Sequence, residues 1–372
     1  MIRNVIFDFG NVLARFDPAS LARKYAENEA DAAKLAAVVF DERWADFDGG
    51  RLSYEEHLAG SLAQLPERLH EAAARLFAGW TGDLAPIPAI QGLVKELYRR
   101  GYGLYILSNA PVEFSSQVRQ NYAFTALFDG AVYSAEIQMD KPHAPIYRHL
   151  LSTYGLDPDE CLFIDDKPVN VEGARAVGMH AVTFNADGED CLGPIRAHIG
   201  ADGIIDHAKL AKRLFSDGCN CAQAVFLAFR DRIGMDEAAA MRLSSSFGGG
   251  MGRMREVCGA VSGMLMVLGL THGYDANCAT ADEDKKRHYE RVQQLCGRFR
   301  EENGSIICRE LLDGHIQRTA ESGEQTDAMR STDPTPTPRS AEYYQKRPCG
   351  ELVESAARLL EQYLAELEGK KG

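Results

Sequence analysis

IRNVIFDFGNVL, at residues 2–13, is an apolar run interrupted by a carboxylate. The β-branched and aromatic residues between Ile2 and Phe7 predict a buried strand, which Gly10 brings to an end. Asp8 therefore stands where the strand gives way to a loop. Ligands of open α/β sheets bind beyond the carboxyl ends of the strands, so Asp8 is a candidate functional residue. A side chain that only caps a turn is the alternative at this point.

The rest of the first half alternates between strand and helix signals. Apolar residues within 90–97 recur at i, i+3, i+4 and i+7, which predicts an amphipathic helix. Residues 16–85 are also predicted to be helical, and Ser53 followed by Glu56 is a capping-box signal. Further strands are predicted at 104–107, 131–133, 161–164 and 181–184. This alternation predicts an α/β fold with a Rossmann-like, doubly wound parallel sheet.

The second half is helical almost throughout, which predicts an all-α fold. Helices are predicted at residues 208–215, 221–233, 237–243, 257–270, 284–300 and 351–367. The Ser- and Gly-rich residues 244–251 predict a flexible loop. The Thr-, Ser- and Pro-rich residues 319–339 predict a long surface loop or a disordered one. We place a linker at 196–204, between domains at 1–195 and 205–372.

Charge and hydrophobicity narrow the functional class. A formal net charge of −13 over 372 residues argues against a nucleic-acid partner, because phosphate backbones attract basic surfaces. The sequence holds no apolar run of 18 residues and no signal-peptide pattern at its start, so we expect a cytoplasmic protein without a membrane partner. The length favours two domains.

Polar residues follow the predicted strands of the first half in a chemically coherent order: Asp8, then Ser108 with Asn109, then Lys141, then Asp165 with Asp166. The carboxyl ends of parallel strands share one edge, so we expect these groups to converge. One carboxylate can act as a nucleophile and another can hold Mg²⁺. A hydroxyl, an amide and an ammonium can bind the oxygens of a transferring phosphoryl group. The set therefore points to phosphoryl transfer.

The four motifs resemble those of the haloacid dehalogenase (HAD) superfamily over about residues 1–190. The resemblance implies that Asp8 is the nucleophile, and that Asp8, the Gly10 carbonyl and Asp166 hold Mg²⁺. It further implies that residues 16–85 form a helical cap that selects a small phosphorylated substrate. The remaining implied roles are phosphoryl binding by Ser108, Asn109 and Lys141, steadying of the nucleophile by Lys141, and orientation of the site by Asp165 and Asn170.

Gly10 departs from the usual phosphatase pattern. Phosphatases of this superfamily usually carry an aspartate there, as acid for the leaving group and base for water. A glycine transfers no proton, so about 10²–10⁴-fold of catalysis must come from another group or be unnecessary. A sugar phosphate with a good leaving group would suit such a site. A 2-haloacid dehalogenase is an alternative, although that branch needs no metal.

The nine cysteines concentrate in the second half of the chain, where seven fall between Cys219 and Cys349. In a cytosolic protein such a cluster favours metal binding or redox chemistry over structural disulfides. Four of them lie at predicted helix N-termini, where the helix dipole stabilises a thiolate: Cys221, Cys258, Cys308 and Cys349. Cys161, Cys191, Cys278 and Cys296 are better explained as small hydrophobic or incidental residues. Cys219 is an additional cysteine, and a Cys-x-Cys pair with Cys221 is a further option.

These four cysteines and the motif Cys-Gly-Ala-x-x-Gly at 258–263 resemble a small family of proteins described as redox-active. The resemblance covers about residues 204–368. It leaves open whether the cysteines bind a metal or iron–sulfur cluster, exchange disulfides with a redox partner, or are structural. We expect an HAD-type phosphatase fused to this cysteine domain. The alternative is a redox or metal-binding protein whose HAD domain is weakly active or regulatory.

Overall fold

A computed structural model describes residues 1–200, 203–275, 280–319, 329–340, 343–344 and 347–369. The chain divides into two compact units, Met1–Asp202 and Gly203–Gly372. Cys278 and residues 320–328 of the predicted long loop lie outside the described residues. The assignment of functional domains at 1–195 and 205–372 stays a prediction.

The first unit is built on a five-stranded parallel sheet with the strand order β5-β4-β1-β6-β7. β1, β4 and β6 are nearly completely buried, as continuous apolar runs require in the middle of a parallel sheet. This confirms the predicted Rossmann-like α/β class. The strands are β1 (Asn4–Phe7), β4 (Gly103–Ser108), β5 (Gly130–Tyr133), β6 (Cys161–Asp165) and β7 (His180–Thr183).

A helical insertion follows β1, as predicted for residues 16–85. Its two ends are joined by an antiparallel pair, β2 (Ala14–Arg15) with β3 (Ala85–Pro86). The predicted capping box at Ser53 is present, with hydrogen bonds in both directions between Ser53 and Glu56. The helices of this cap are Pro18–Arg23, Glu29–Val39, Trp44–Asp48, Tyr54–Leu62 and His70–Gly79, with 3-10 turns at Glu67–Leu69 and Trp80–Asp83.

All but one of the other helices of the first unit connect the strands. Pro88–Arg99 buries the apolar face that its sequence spacing predicted. The connecting helices are Pro88–Arg99, Phe114–Asn121, Ser134–Ile137, Ala144–Tyr154 and Pro168–Arg175, with 3-10 turns at Ala123–Leu127 and Pro158–Glu160. The short helix Gly193–Arg196 follows the last strand, β7.

The second unit is helical around one apolar core, as predicted. Val225, Met264 and Leu360 are among its fully buried residues, and each comes from a different helix. The helices are His207–Ser216, Cys221–Ala228, Arg230–Ile233, Glu237–Ser245, Gly248–Met251, Gly259–His272, Ala281–Asn303, Cys308–Thr319 and Cys349–Gly369.

Three details of the second unit differ from the sequence expectations. The helix predicted at 221–233 is interrupted at Phe229, whose backbone leaves the helical region. The residues predicted as a flexible loop, 244–251, instead end one helix and form the turn Gly248–Met251, in which Gly250 is buried at a φ of +71°. Residues 331–340 contain no helix or strand and are mostly exposed, in agreement with the predicted surface loop, but four of them also line a cavity, which composition does not predict: Pro334, Pro336, Thr337 and Arg339.

None of the described helices combines the length and the apolarity that crossing a bilayer requires.

The buried His207 ring and its two carboxylate partners make the stability of the second unit depend on pH. The ring is buried against Phe229, with Nε2 lying 3.2 Å from Asp231 and Nδ1 lying 2.8 Å from Glu361. Burial opposes the charge, but the hydrogen bonds with the two carboxylates outweigh it and raise the pKa of His207. A pKa raised by folding stabilises the protein at low pH, and the contribution is lost as the pH rises through the folded value.

We therefore expect His207→Gln to lower the free energy of unfolding by about 1–3 kcal/mol at pH 6 and by less at pH 9. Urea unfolding of the full chain at both pH values measures this. Lys212→Gln is the matched control, because Lys212 lies on the same helix in an exposed pair with Glu354. A loss that is equal at both pH values would contradict the charged state of His207.

Candidate functional site

Three adjacent strands deliver the predicted carboxylates and hydroxyl to one edge of the sheet. Asp8 follows β1, and its backbone N–H donates to the Ile164 carbonyl of β6 at 2.9 Å. Ser108 is the last residue of β4, and Asp165 is the last residue of β6. Because β1 lies between β4 and β6, these residues meet around Asp8.

Lys141 reaches the same place by a different route from the one expected. It lies in the loop between the helices Ser134–Ile137 and Ala144–Tyr154 rather than directly after a strand. The Asn109 side chain holds this loop, since its Nδ2 donates to the Lys141 carbonyl at 3.0 Å and its Oδ1 accepts from the Lys141 N–H at 2.9 Å. In this structure Asn109 therefore positions Lys141.

The Lys141 ammonium bridges two buried carboxylates. Its Nζ lies 2.8 Å from Asp8 Oδ1 and 2.6 Å from Asp165 Oδ2. Burial opposes the charge of Lys141, but attraction to Asp8 and Asp165 outweighs burial and raises its pKa. The side chain is therefore a fixed cation beside the candidate nucleophile.

Asp165 is fully engaged by its neighbours. Besides Lys141, its oxygens accept from Asn170 Nδ2 at 3.0 and 3.1 Å and from the Lys167 N–H at 2.8 Å. The two residues predicted to orient the site, Asp165 and Asn170, thus contact each other. With its oxygens occupied, Asp165 is better suited to supporting Lys141 than to binding a metal.

Asp166 is the residue that best indicates a cation site. Its Oδ2 accepts from Asn11 Nδ2 at 3.3 Å, while its buried Oδ1 has no hydrogen-bond partner within the described part of the chain. Carboxylate oxygens of Asp8, Asp165 and Asp166 all lie within 4.8 Å of one another. Hard oxygen donors in this arrangement suit Mg²⁺, so the residues present fit the ion that the superfamily uses.

The protonation of Asp8 depends on this setting. Burial raises the pKa of Asp8 to about 6, Lys141 opposes the rise, and repulsion from Asp165 and Asp166 adds to it. Asp166 also has a raised pKa, chiefly because it is desolvated and secondarily because of Asp165. A bound cation would lower both values and keep the nucleophile ionised.

The residues around Asp8 line a cavity of about 320 Å³ whose lining is of two chemical kinds. Asp8, Gly10, Ser108, Lys141 and Asp166 are its polar part. The apolar part includes rings that contact one another, with centroids 5.2–5.9 Å apart: Phe16, Trp44, Trp80 and Phe114. The cavity can therefore hold an anionic group together with a carbon skeleton.

Asp48 also lines this cavity, although no sequence motif marks it as a site residue. It ends the cap helix Trp44–Asp48, in a segment predicted only as helical. The pattern of cap residues does not show which of several acidic side chains is drawn inward.

In the second unit, the four cysteines named from the sequence line one cavity of about 310 Å³. Cys221, Cys308 and Cys349 each begin a helix, and Cys258 is the N-cap of the helix Gly259–His272. Two of the four are brought together by backbone pairing. The Cys258 N–H donates to the Ile306 carbonyl at 2.8 Å, and the Cys308 N–H donates to the Glu256 carbonyl at 2.7 Å.

The glycines of the Cys-Gly-Ala-x-x-Gly motif explain how two helices approach so closely. A Cβ at Gly259 would lie 2.8 Å from the Phe247 carbonyl oxygen and 3.1 Å from Cys221 Cβ. A Cβ at Gly263 would lie 2.6 Å from the Ala222 carbonyl oxygen. The motif thus removes side-chain bulk where the two cysteine-bearing helices touch.

Four arginines share the cysteine cavity: Arg253, Arg255, Arg339 and Arg347. Arg255 donates to the Ser331 carbonyl at 2.7 and 3.0 Å, and Arg339 donates to the Cys219 carbonyl at 2.9 Å. Burial and then repulsion from Arg255 and Arg347 lower the pKa of Arg253. The cavity is therefore positively charged, and residues 331–340 help to enclose it.

The surroundings of three of the cavity's thiols, those of Cys258, Cys308 and Cys349, favour the protonated form over the thiolate that their helix N-termini predicted. Burial raises the pKa of Cys258 to about 12 and also raises that of Cys308. The pKa of Cys349 is raised well above its usual value by a hydrogen bond with Cys221 and by burial. Cys219 is buried in the apolar core instead of lining the cavity, so it is not placed as a partner of the four.

Two known family models match the chain, one in each half. Residues 2–178 match the model described as haloacid dehalogenase-like hydrolase. Residues 219–363 match the model described as "Putative redox-active protein (C_GCAxxG_C_C)".

Individual relatives match the first half. A sesquiterpene phosphatase of Aspergillus oryzae is 32% identical over 176 residues, which cover 47% of this chain and 85% of that protein. A haloacetate dehalogenase of a Moraxella species is 27% identical, over 38% of this chain and 64% of that protein. A solved HAD-family enzyme from Bacteroides thetaiotaomicron, in complex with magnesium and inorganic phosphate, is 24% identical over 51% of this chain and 97% of that one, with a TM-score of 0.39. By the match of its first half, the chain belongs to the haloacid dehalogenase-like hydrolases.

Proposed function

We propose that the first unit is a cytoplasmic, Mg²⁺-dependent phosphatase that acts on a small phosphorylated metabolite through an aspartyl-phosphate at Asp8. The observation that carries the proposal is the contact of Asp8 with the buried Lys141 ammonium, beside the unpartnered Oδ1 of Asp166. A nucleophile, a fixed cation and a vacant oxygen ligand are the parts that phosphoryl transfer needs.

In the proposed reaction, an Asp8 carboxylate oxygen attacks phosphorus and the bond to the leaving oxygen breaks. Water then attacks the aspartyl-phosphate, which releases phosphate and regenerates Asp8. Lys141 balances charge on the nucleophile and the phosphoryl group, and Ser108 and Asn109 face the phosphoryl oxygens. Asp8, the Gly10 carbonyl and Asp166 would hold Mg²⁺, which screens the repulsion between carboxylate and phosphate.

The cavity supports an organic group with a flat or apolar surface. The rings of Trp44 and Trp80 line the cavity together with its polar residues, and rings of this kind stack on sugar faces as well as on apolar skeletons. A sugar phosphate and a phosphate ester of an apolar alcohol both fit this description. The similarity to a sesquiterpene phosphatase favours the second of these, the phosphate ester of an apolar alcohol.

Two alternatives are less well supported. A 2-haloacid dehalogenase would not need a metal, yet the buried Oδ1 of Asp166 is a ligand atom without a hydrogen-bond partner in the described chain. Chloride release from 2-haloacids without metal would establish that alternative. A purely regulatory HAD domain would not require the buried ion pair of Lys141 with Asp8.

Replacing the nucleophile tests the proposal. We expect Asp8→Asn to lower kcat for p-nitrophenyl phosphate and hexose 1-phosphates by at least about 10⁴-fold, because a neutral amide cannot form the intermediate. Glu172→Gln is the control, since Glu172 is exposed and pairs only along its own helix with Arg175. Well-folded wild-type protein that hydrolyses none of a broad phosphate panel would overturn the proposal.

Cation binding can be measured without activity. Mg²⁺ at about 100 times its dissociation constant should stabilise the wild-type protein by about 2.7 kcal/mol, seen as a rise in Tm. We expect Asp166→Asn to abolish this rise, and Asp187→Asn, on an exposed carboxylate paired with Arg15, to leave it unchanged. A rise that persists in Asp166→Asn would place the ion elsewhere.

For the second unit, we propose a cysteine-based redox or metal-binding function, supported by the convergence of four cysteines on one positively charged cavity. No three of their sulfurs meet the 4.8 Å spacing that the acidic triad meets within the described chain. A single zinc ion would thus require the sulfurs to move closer, because Zn–S bonds are about 2.3 Å long. A larger cluster or a Cys221–Cys349 dithiol, linked to a redox partner, requires less rearrangement.

Anaerobically purified protein tests the second unit. We expect either bound metal with visible absorption or thiols that are consumed by a mild oxidant, and in both cases the property should disappear in Cys221→Ser. Cys296→Ser is the control, because Cys296 lies outside the cavity on the helix Ala281–Asn303. Colourless, metal-free protein whose thiol count does not change on oxidation would contradict both forms of the proposal.

A further inference from the structure

The phosphatase proposed above lacks an obvious proton donor. The leaving oxygen of an alkyl phosphate departs as a poor, strongly basic alkoxide unless it is protonated, and a positioned acid contributes about 10²–10⁴-fold. Gly10 occupies the position from which that proton would usually come, and it has no side chain. Some other group facing the cavity must therefore supply the proton if alkyl esters are substrates.

Asp48 is placed to face the departing group. It comes from the cap helix Trp44–Asp48, whereas Asp8 follows β1, and the two residues line the same cavity together with Ser108 and Trp44. A substrate in this cavity contacts both the cap and the sheet edge. When Asp8 attacks from the sheet edge, a leaving group directed toward the cap meets the Asp48 carboxyl group.

The backbone of Asp48 is fastened to the sheet unit. The Ser134 hydroxyl, which is fully buried just after β5, donates to the Asp48 carbonyl. Gly50 follows at a φ of +69°, and a Cβ there would lie 2.8 Å from the Ala135 carbonyl oxygen. These contacts hold the end of the cap helix against the core, so Asp48 is positioned rather than free to swing away.

The charged groups near Asp48 suit a side chain that gives up a proton and takes one back in each turnover. Burial raises the pKa of Asp48 well above its usual value, and Asp8 adds to the rise, while Lys167 and Lys141 oppose it. Trp44 of the same helix opposes the rise as well. Asp48 therefore favours its protonated form in the cavity, and exposed Lys167 compensates its charge once the proton has left.

Two other ionisable side chains of the cavity are held by ion pairs, and Asp166 is assigned above to the cation. Lys141 is held between Asp8 and Asp165. Asp140 pairs with Arg51 at 3.1 Å and with His143 at 2.9 Å, and, although burial opposes it, these partners lower the pKa of Asp140. A carboxylate stabilised in its charged form is a poor proton donor.

We propose that Asp48 is the general acid and base of this site, in place of the absent side chain at Gly10; the proposal rests on the phosphatase function. As the P–O bond to the leaving group breaks, the Asp48 carboxyl proton passes to the leaving oxygen and an alcohol departs. The Asp48 carboxylate then takes a proton from the water that attacks the aspartyl-phosphate. Phosphate is released, and both Asp8 and protonated Asp48 are regenerated.

Leaving-group dependence tests this assignment. We expect Asp48→Asn to lower kcat/KM for hexyl phosphate by about 10²–10⁴-fold. For p-nitrophenyl phosphate, whose leaving group needs no protonation, kcat/KM should change by less than about tenfold, since it reports only steps up to departure of the phenolate. Because water activation is also lost, kcat should fall, and a burst of p-nitrophenolate equal to the enzyme concentration should appear.

Asp46→Asn is the matched control, because Asp46 lies on the same helix in an exposed pair with Arg51 and should leave both substrates unaffected. Asp48→Ser is measured alongside, and the within-variant ratio of the two substrates is independent of the fraction that folds. An equal loss for both substrates, or no loss for either, would overturn the role of Asp48. Full activity in Asp8→Asn would instead overturn the underlying phosphatase function.

Discussion

The buried bridge from Lys141 to Asp8 and Asp165 is the interaction on which the first unit's chemistry depends. Three carboxylates face one ammonium here, so full ionisation leaves an excess of two negative charges. Burial is the largest cause that raises the pKa of Asp8, to about 6, and repulsion from the other two carboxylates adds to the rise. A divalent cation would restore neutrality, which ties the metal and the nucleophile into one electrostatic unit.

Much of this site follows from the sequence, because strand ends in a parallel sheet share an edge. Asp8, Ser108 and Asp165 were placed by that rule, and the fold class and family were confirmed with it. Lys141 was expected after a strand, and it arrives from a loop that Asn109 holds. Asp48 could not be predicted, because a helical pattern does not specify which cap carboxylate turns toward the sheet. The catalytic and ligand roles stay predictions.

In the second unit, local sequence patterns predicted where the cysteines lie but not which residues surround them. Cysteine positions at helix N-termini could be inferred from short local patterns, and the four do line one cavity. The close helix contact at Gly259 and Gly263 depends on tertiary packing, which only the structure shows. Composition described residues 319–339 as a surface or disordered loop, yet the portion from 331 to 340 encloses the cavity through Arg255 and Arg339.

Mass spectrometry of the acid-quenched protein during turnover tests the central claim most directly. With p-nitrophenyl phosphate and Mg²⁺, the account predicts a mass increase of one phosphoryl group on the peptide that contains Asp8, and loss of that increase when substrate is exhausted. A phosphoryl group on a different residue, or steady hydrolysis with no modified protein in either the wild type or Asp48→Asn, would contradict it.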